Sequence, residues 1–219
     1  MAAKASAGAR AGRRLDRSFF ERSVHEVARE LVGCTLTFAG VGGVIAETES
    51  YEAADPACHA FGGRTRRNEV LFGPPGRAYV YFSYGIHSLL NAVAEREGRA
   101  AAVLIRALEP RYGIAEMRRR RGRREVRDLC SGPGKLTEAL GIGLEANGSS
   151  LLEPPFELRA RDGLWRDPEI VAGPRIGITR AADLPWRFCA ARSDCLSRPA
   201  GWAPLRLRRG AARGGKRAA

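Results

Sequence analysis

The sequence predicts an α+β fold in which a mainly antiparallel β-sheet carries helices at its margins. Stretches with strand-like alternation of side chains follow one another in runs, which is typical of an antiparallel sheet. Glycine-rich turns separate the early strands, and the helical patterns lie outside these runs. The 219 residues, 44% of them apolar, suffice for one domain with a packed core, and no internal repeat is visible.

Both ends of the chain are basic and lack hydrophobic periodicity. Residues 1–14 and 208–219 consist mainly of alanine, glycine and arginine. We expect them to be disordered tails on either side of one domain at residues 15–207. The domain begins with a helix, because Ser23 and Glu26 have the spacing of a capping box and apolar residues follow at helical intervals up to Gly33.

Four strands and one long loop come next. Strands at residues 34–38 and 43–51 are joined by a glycine-rich turn. Residues 52–78 are rich in glycine and proline and predict an irregular loop, and a loop of that length in a compact domain is usually functional. Strands at residues 78–82 and 87–93 then predict a hairpin.

The second half of the chain alternates short elements. An apolar strand at residues 100–108 is predicted to end at Pro110, because proline cannot donate to a β-ladder. Helices are predicted at Ile114–Arg121 and at Gly134–Leu140. The remaining predicted strands are Phe156–Arg159, Arg175–Ile178 and Trp186–Ala190.

The chain is strongly basic, with 37 lysine and arginine residues against 24 acidic residues. A net charge of +13 favours polyanionic partners, with nucleic acid first and a membrane surface or an acidic protein second. Only Lys4, Lys135 and Lys216 are lysines, so the arginine excess also fits a GC-rich genome without selection for binding.

Composition excludes several classes of protein. No apolar run reaches the roughly 18–20 residues of a membrane span, and the first residues lack the apolar core of a secretory signal. Five cysteines at irregular spacing are typical of reduced thiols, and with only three histidines they form no zinc motif. We therefore expect a cytoplasmic protein without a metal site.

Tyrosines are concentrated in one part of the sequence. Four of the five lie at positions 51, 79, 81 and 84, and Tyr79 and Tyr81 share one face of their predicted strand. Packing within a sheet explains Tyr79 but not Tyr84, which lies at the hairpin turn beside Gly85. Aromatic rings interleaved with arginines suit a surface that stacks on nucleic-acid bases or wedges between them.

Acidic residues are the second anomaly. Glu47, Glu49 and Tyr51 alternate along one predicted strand and therefore point to the same face. A solvated sheet face is the simplest explanation for Glu47. Glu49 is a candidate general base, and Arg106, the charged residue of an otherwise apolar strand, is its candidate partner. Arginine there is expected to lower the pKa of the Glu49 carboxyl and keep it ionised.

Other motifs carry less chemistry. His59 stands in the long loop without the Ser/His/Asp order of a hydrolase triad. The segment Gly132–Leu136 lacks the spacing and the hydroxyl of a phosphate-binding loop. Arg118–Arg124 is the densest run of charge, and two interpretations stay open for it: a solvated face or a contact with phosphate.

Several motifs occur in order between about residues 17 and 200. They are Val44-Ile-Ala-Glu-Thr-Glu-Ser-Tyr51, His59-Ala-Phe-Gly-Gly-Arg64, Gly76-Arg-Ala-Tyr-Val-Tyr-Phe-Ser-Tyr-Gly85, Asn91, Val103-Leu-Ile-Arg-Ala-Leu-Glu-Pro110, Leu129-Cys-Ser-Gly-Pro-Gly-Lys-Leu136 and Pro174-Arg-Ile-Gly-Ile178. Together they resemble the alkyladenine (3-methyladenine) DNA glycosylase family. The resemblance implies a single α+β domain with a curved, mainly antiparallel sheet. It also implies a nucleoid-associated monomer that needs no metal or organic cofactor and acts on duplex DNA containing damaged purines.

The resemblance implies a role for each residue of the catalytic centre and base pocket. Glu49 would deprotonate or orient the water that attacks C1′ of the damaged nucleotide, and Arg106 would position both. Tyr51, His59 and Tyr81 would form walls that stack on the flipped base, with His59 also offering a hydrogen bond.

Specificity and DNA contacts are implied in the same way. Asn91 would exclude normal guanine by crowding its exocyclic amine, and Tyr84 would enter the minor groove and fill the vacated stack. The other implied DNA-binding residues are Ile86, His87, Arg64 and Arg66.

The predicted activity is the monofunctional excision of alkylated or deaminated purines, leaving an abasic site for base excision repair. The substrate class comprises 3-methyladenine, 7-methylguanine, hypoxanthine and ethenoadenine. A lyase would need an amine nucleophile, and Lys135, the only lysine inside the predicted domain, falls in a motif not associated with catalysis. The alternatives are a non-catalytic DNA- or RNA-binding module and an RNA-processing or acyl-transfer enzyme on a related fold.

Overall fold

The computed structural model describes residues 12–83 and 85–200, which form one α+β domain. The strands of these residues are β1 (Thr35–Phe38), β2 (Val41–Glu52), β3 (Ala78–Ser83), β4 (His87–Val93), β5 (Ala101–Tyr112), β6 (Phe156–Arg159), β7 (Ile170–Gly173) and β8 (Arg187–Ala190). Their α-helices are α1 (Arg17–Phe20), α2 (Val24–Leu31), α3 (Ile114–Arg121) and α4 (Pro133–Leu140). Short 3-10 helices lie at Glu69–Phe72, Val126–Asp128, Leu144–Ala146 and Gly163–Trp165.

The strands form one antiparallel sheet. Its order is β3-β4-β5-β2-β1-β6, and β8 pairs with a later part of β2, on the edge opposite β5, with β7 beside it. Strand β5 follows β2 along almost its full length, from the pair Gly42–Tyr112 to the pair Glu52–Ala101. The sheet curls into a half-barrel, so the predicted fold class is confirmed.

Strand β2 is the centre of the fold and is buried from Val41 to Ser50. Its register against β5 shifts between Ile45 and Glu47, which marks a β-bulge. Because of this bulge Ile45 packs in the main core, whereas Glu47 turns to the other face of the sheet. Thr48 keeps to the first face, where its hydroxyl donates to the Ala28 carbonyl oxygen at 2.7 Å.

Helix α2 covers that first face. Its apolar stripe is fully buried against β2 and β5 and consists of Val24, Val27, Ala28 and Leu31. Ser23 precedes the helix as predicted, but its side chain makes no capping hydrogen bond. The Glu95 carboxylate accepts from the Val24 amide at 3.2 Å instead, so a residue distant in sequence satisfies the helix terminus.

The long loop between β2 and β3 is fastened to the sheet. It encloses a second apolar cluster formed by Cys58, Ala60, Leu71, Tyr79, Val93, Ala100 and Ala102. The Asn68 amide donates to the carbonyl oxygens of His59 and Gly63 at 2.9 and 3.0 Å. The backbone around His59 is therefore held in a defined place although it contains no strand.

Two strand predictions are wrong. Strand β5 continues through Pro110 to Tyr112. Strand β4 pairs only with residues 102–104 of β5, so no β4 residue opposite Pro110 needs the N–H donor that proline lacks. Arg175–Ile178 is not a strand, and the segment before it, β7, takes that place. The amide of Ile176 donates to a side-chain carboxylate rather than to a ladder.

The described chain begins inside the predicted N-terminal tail. Gly12 donates its amide to Asp162 at 2.8 Å, and Arg14 forms an isolated bridge with Arg159. Residues 1–11 of the predicted N-terminal tail, the predicted C-terminal tail at residues 208–219, and Tyr84 at the hairpin turn lie outside the described residues. Helices within the described ranges are at most eight residues long, and none could span a membrane.

We expect Gly43→Ala to disrupt the sheet, because a Cβ at this position would lie 1.9 Å from the Glu109 carbonyl oxygen on β5. Neither backbone can move without breaking the β2–β5 pairing, so the expected loss in unfolding free energy is about 3 kcal/mol. Thermal denaturation followed by circular dichroism measures it. Gly62→Ala is the matched control, since a Cβ there has no heavy atom within 4 Å. Equal melting temperatures for the two variants would contradict the packing described for β2.

Candidate active site

A cavity of about 610 Å³ opens on the face of the sheet opposite α2. That volume is within the range of small-molecule sites. Strands β2 to β5 form its floor, and the long loop, the start of α4 and residues 176–178 form its sides. The predicted site residues that line it are Tyr51, His59, Tyr81, His87, Asn91 and Arg106.

Glu49 is fully buried behind the cavity lining; it does not line the cavity itself, but its three hydrogen-bond partners do. Its Oε2 accepts from the Tyr51 hydroxyl at 2.8 Å and from Arg106 at 3.1 Å. Its Oε1 accepts from the Ile176 amide at 2.8 Å. The predicted contact between Glu49 and Arg106 is therefore present, and three donors fix the carboxylate.

The expected direction of the Glu49 pKa is wrong. Burial raises the pKa of the carboxyl above its ordinary value, and this outweighs the lowering by Arg106, by the Ile176 amide and by the Tyr51 hydroxyl. The nearby charge of Glu47 raises it further. Glu49 thus accepts a proton more readily than an exposed glutamate.

Arg106 is shared between two carboxylates. Besides Glu49 it contacts Glu47, with Nε donating to Oε1 at 2.8 Å, and it donates to the Ser197 hydroxyl at 3.2 Å. Burial acts to lower the pKa of Arg106, but the two carboxylates outweigh burial and raise it. The guanidinium therefore stays charged beside the cavity.

Glu47 was predicted on a solvated face, and this is wrong. It is fully buried, and the donors to its carboxylate come from Arg106, from Arg187 on β8 and from the amide and hydroxyl of Ser197. Burial acts to raise the pKa of Glu47, yet these partners outweigh it and lower the pKa. The two-residue spacing between Glu47 and Glu49 correctly predicts that both lie on one face of the sheet. The burial of Glu47 was missed because Arg187 and Ser197, which cover it, are distant in sequence.

Aromatic rings form one wall of the cavity. The rings of Tyr79 and Tyr81 stack with centroids 5.5 Å apart, and His59 meets Tyr81 edge-on at 4.5 Å. The His59 Nδ1 lies 2.9 Å from the Tyr79 hydroxyl. Partial desolvation, with a smaller contribution from the charge of Arg67, lowers the pKa of His59 and favours the neutral ring. Burial raises the pKa of Tyr79 to about 12, so this hydroxyl stays protonated.

Tyr51 forms another part of the wall, and its ring packs against the Arg175 side chain. The Arg175 guanidinium lies 4.5 Å from the centre of the Tyr51 ring and 4.9 Å from that of Trp186. Arg175 also forms a buried ion pair with Asp55 of the long loop. This arrangement ties the loop that carries His59 to the segment that holds Glu49.

Asn91 lies on β4 opposite Tyr79, and its amide nitrogen donates to the Tyr79 carbonyl oxygen at 3.1 Å. The side chain is buried, and it lines the cavity. Its amide orientation is thereby fixed at the base of the aromatic wall.

Of the predicted DNA-binding residues that the structure describes, His87 lines the cavity. Ile86 is 67% exposed, and His87 is exposed and packs on Gly134 of α4. Arg64 and Arg66 are exposed but do not line the cavity. Tyr84, the predicted wedge, is outside the described residues.

Two basic residues of the cavity were not predicted, Arg67 and Lys135. Arg67 is the third arginine of its loop, after Arg64 and Arg66, the two that the resemblance implies as DNA-binding residues. Lys135 stands near the start of α4, where its ammonium donates to Ser131 at 3.2 Å. The arginine run 118–124 is partly neutralised, with ion pairs from Arg119 and Arg120 to Glu116 and from Arg121 to Glu138. None of the run lines the cavity.

The described residues offer no group of three or more histidine, cysteine, aspartate or glutamate side chains arranged to hold a metal ion. All five cysteines are free and buried.

Known proteins are similar to this chain over most of its length. Residues 18–194 match the family described as methylpurine-DNA glycosylase (MPG). A Rhodopseudomonas palustris (strain ATCC BAA-98 / CGA009) protein is 61% identical over 185 residues, covering 84% of this chain and 88% of its own length. A Bradyrhizobium diazoefficiens protein is 57% identical over 87% of this chain and 94% of its own. One from Nitrosospira multiformis is 55% identical over 82% and 92%.

Each of the three relatives bears the name "Putative 3-methyladenine DNA glycosylase". The family match covers more than half of the chain, and these identities extend over most of both sequences. The chain therefore belongs to the methylpurine-DNA glycosylase family, whose members hydrolyse N-glycosidic bonds in DNA.

Proposed function

We propose that this protein is a monofunctional glycosylase that excises alkylated or deaminated purines from duplex DNA and leaves an abasic site for base excision repair. The proposed substrates are 3-methyladenine, 7-methylguanine, hypoxanthine and ethenoadenine. The observation that carries the proposal is the buried Glu49–Arg106 pair, in which Arg106 lines an aromatic cavity and Glu49 lies directly behind it. It supplies a base and a fixed charge next to a space that accepts a flat ring.

The proposed reaction is water attack at C1′. A purine inside a duplex is out of reach of a buried carboxylate, so the damaged nucleotide has to be flipped into the cavity. Glu49 accepts a proton from water while the water oxygen bonds to C1′, and the C1′–N bond breaks with its electron pair passing to the purine. The anionic carboxylate also stabilises positive charge that develops on the sugar.

Three features of the walls are proposed to favour a flipped, damaged purine. Tyr51, Tyr81 and His59 offer flat faces and edges that replace the stacking lost on flipping. Tyrosine rings attract the positive charge of an alkylated purine by cation–π contact, worth on the order of 1–2 kcal/mol when desolvated. Asn91, held by the Tyr79 carbonyl, is proposed to exclude normal guanine by crowding its exocyclic amine.

DNA binding is proposed to use exposed side chains of the long loop and of the β3–β4 hairpin. Arg64, Arg66 and His87 are exposed and are proposed to contact phosphate, and the exposed apolar side chain of Ile86 is proposed to contact the groove. Tyr84 remains the proposed wedge between bases. We also propose that the protein acts as a monomer, without cofactor, at the nucleoid.

We expect Glu49→Gln to abolish base release while DNA binding survives, because glutamine cannot accept the proton. The rate should fall at least about 100-fold, the usual minimum for a general base. A labelled duplex with one hypoxanthine or ethenoadenine is incubated with enzyme in EDTA and treated with hot alkali, which cleaves abasic strands. Glu52→Gln, at the end of the same strand and outside the cavity lining, is the control and should cleave like wild type.

Two outcomes of that assay would overturn the proposal. Cleavage by Glu49→Gln at the wild-type rate would remove Glu49 from the chemistry. Tight binding without cleavage by either protein, on these duplexes and on methylated DNA, would indicate a non-catalytic binding module.

We expect the rate of base release to fall in acid with a midpoint above the ordinary glutamate pKa of about 4.3. Only ionised Glu49 can accept a proton, and its pKa is raised by burial, so activity is lost as pH falls through that raised value. Single-turnover rates on a duplex with one 7-methylguanine, corrected for spontaneous loss of the base, measure the midpoint. A rate that stays constant down to pH 4, or one that rises in acid, would contradict the assignment.

We expect no lyase activity, because the ammonium of Lys135 is engaged with Ser131 at the rim of the cavity rather than placed beside Glu49. Borohydride reduction during turnover should therefore trap no covalent complex with DNA, whereas a bifunctional glycosylase run in parallel should be trapped. A trapped complex that disappears in Lys135→Ala would show that this lysine is a nucleophile and that the enzyme is bifunctional.

A further inference from the structure

We propose that Glu47, clamped by Ser197 and Arg187, is a positioning residue that holds Arg106 in the orientation from which it contacts Glu49. Glu47 does not line the cavity and acts through the Arg106 guanidinium, which does. The inference deepens the proposed function, because it assigns a task within the same reaction to residues beyond the candidate base and its partner.

The geometry around Glu47 supports a clamp. Oε1 accepts from Arg106 at 2.8 Å, from Arg187 at 2.7 Å and from the Ser197 hydroxyl at 2.7 Å, and Oε2 accepts from the Ser197 amide at 2.7 Å. A fully buried carboxylate with four donors has one stable orientation. Apolar side chains of the same volume would stabilise the core at a lower desolvation cost, so packing alone does not explain a buried, charged Glu47.

Ser197 closes the arrangement from a segment near the end of the described chain. Its hydroxyl donates to Glu47 and accepts from the Arg106 NH2 at 3.2 Å, so it joins the two side chains directly. Arg187 donates to the Arg198 carbonyl oxygen at 2.6 Å and fixes the same segment. Three parts of Arg106 are thus committed: Nε to Glu47, NH2 to Ser197 and NH1 to Glu49.

The clamp has an electrostatic consequence for Glu49. The positive charge of Arg106 is shared between two carboxylates. Its contact with Glu47, at 2.8 Å, is shorter than its contact with Glu49, at 3.1 Å. The other groups that face Glu49 or Glu47 are Tyr51 on the same strand, the Ile176 amide, and Arg187 and the Cys189 thiol on β8. The thiol stays neutral, because burial raises the pKa of Cys189 to about 12. Among these groups the anion that opposes ionisation of Glu49 is Glu47.

Glu47→Gln tests the clamp. Removing the anion removes the repulsion that Glu47 exerts on the Glu49 carboxylate, so the pKa of Glu49 falls and the acid midpoint of base release moves to lower pH. On the plateau the single-turnover rate falls between about 10-fold and 100-fold, because Glu49 is a weaker base and Arg106 is misplaced. A purely structural role for Glu47 would reduce the melting temperature and the active fraction without moving the midpoint.

Ser197→Ala and Ser197→Thr test the same clamp with less disturbance to folding. Alanine should reduce the plateau rate, with substrate affinity unchanged, and threonine should restore it because the hydroxyl is retained. Ser193→Ala is the matched control: Ser193 is half-buried on the same segment, and its hydroxyl oxygen accepts from the Cys195 amide, remote from Arg106. Equal rates for Ser197→Ala and Ser193→Ala would overturn the role of Ser197.

A readout without substrate separates this inference from the proposed function. The carboxyl carbon of Glu49 is followed by NMR in protein labelled with ¹³C-glutamate, and the signal is assigned by its absence in Glu49→Gln. A lower Glu49 pKa in Glu47→Gln supports the clamp, and an unchanged one overturns it, whether or not the wild-type protein releases bases. If Glu47→Gln does not fold, the same titration in Ser197→Ala decides. A higher Glu49 pKa is expected there, because the Glu47 anion stays while Arg106 loses a contact that holds it toward Glu49; an unchanged pKa overturns the clamp.

Discussion

The array of Glu47, Arg106 and Glu49 under the cavity is the constraint on which the rest of the site depends. Buried charges are costly to desolvate, and removal of one partner leaves the others uncompensated. Glu47 and Glu49 come from β2, Arg106 from β5, Arg187 from β8, and the closing donors from Ile176 and Ser197. Sheet, loop and C-terminal segment therefore converge on one set of hydrogen bonds.

The array also explains why β2 is irregular. A regular strand would place Ile45 on the same face as Glu47, and the bulge between them separates an apolar core from a charged floor. Helix α2 closes the apolar face, and the opposite face is left open as the cavity. Burial raises the pKa of the Glu49 carboxyl, whereas the donors around the neighbouring Glu47 lower its pKa.

The sequence predicted elements where local pattern decides structure. Helices α2 and α3 and the β3–β4 hairpin follow from periodicity and turn residues, and alternation on β2 put Glu47, Glu49 and Tyr51 on one face. Failures occurred where tertiary partners decide. Pro110 is tolerated because β5 has no β4 neighbour there, and the segment after β7 gives its Ile176 amide to Glu49. The burial of Glu47 depends on Ser197, 150 residues away in sequence.

The most direct measurement of the central role given to Glu49 is the affinity for two uncleavable duplexes. One carries a pyrrolidine at the abasic position, whose positive charge mimics the sugar in the transition state, and the other carries neutral tetrahydrofuran. We expect wild-type protein to bind the pyrrolidine duplex more tightly, and Glu49→Gln to bind both equally. A preference for pyrrolidine that survives in Glu49→Gln would show that another group faces the reacting carbon.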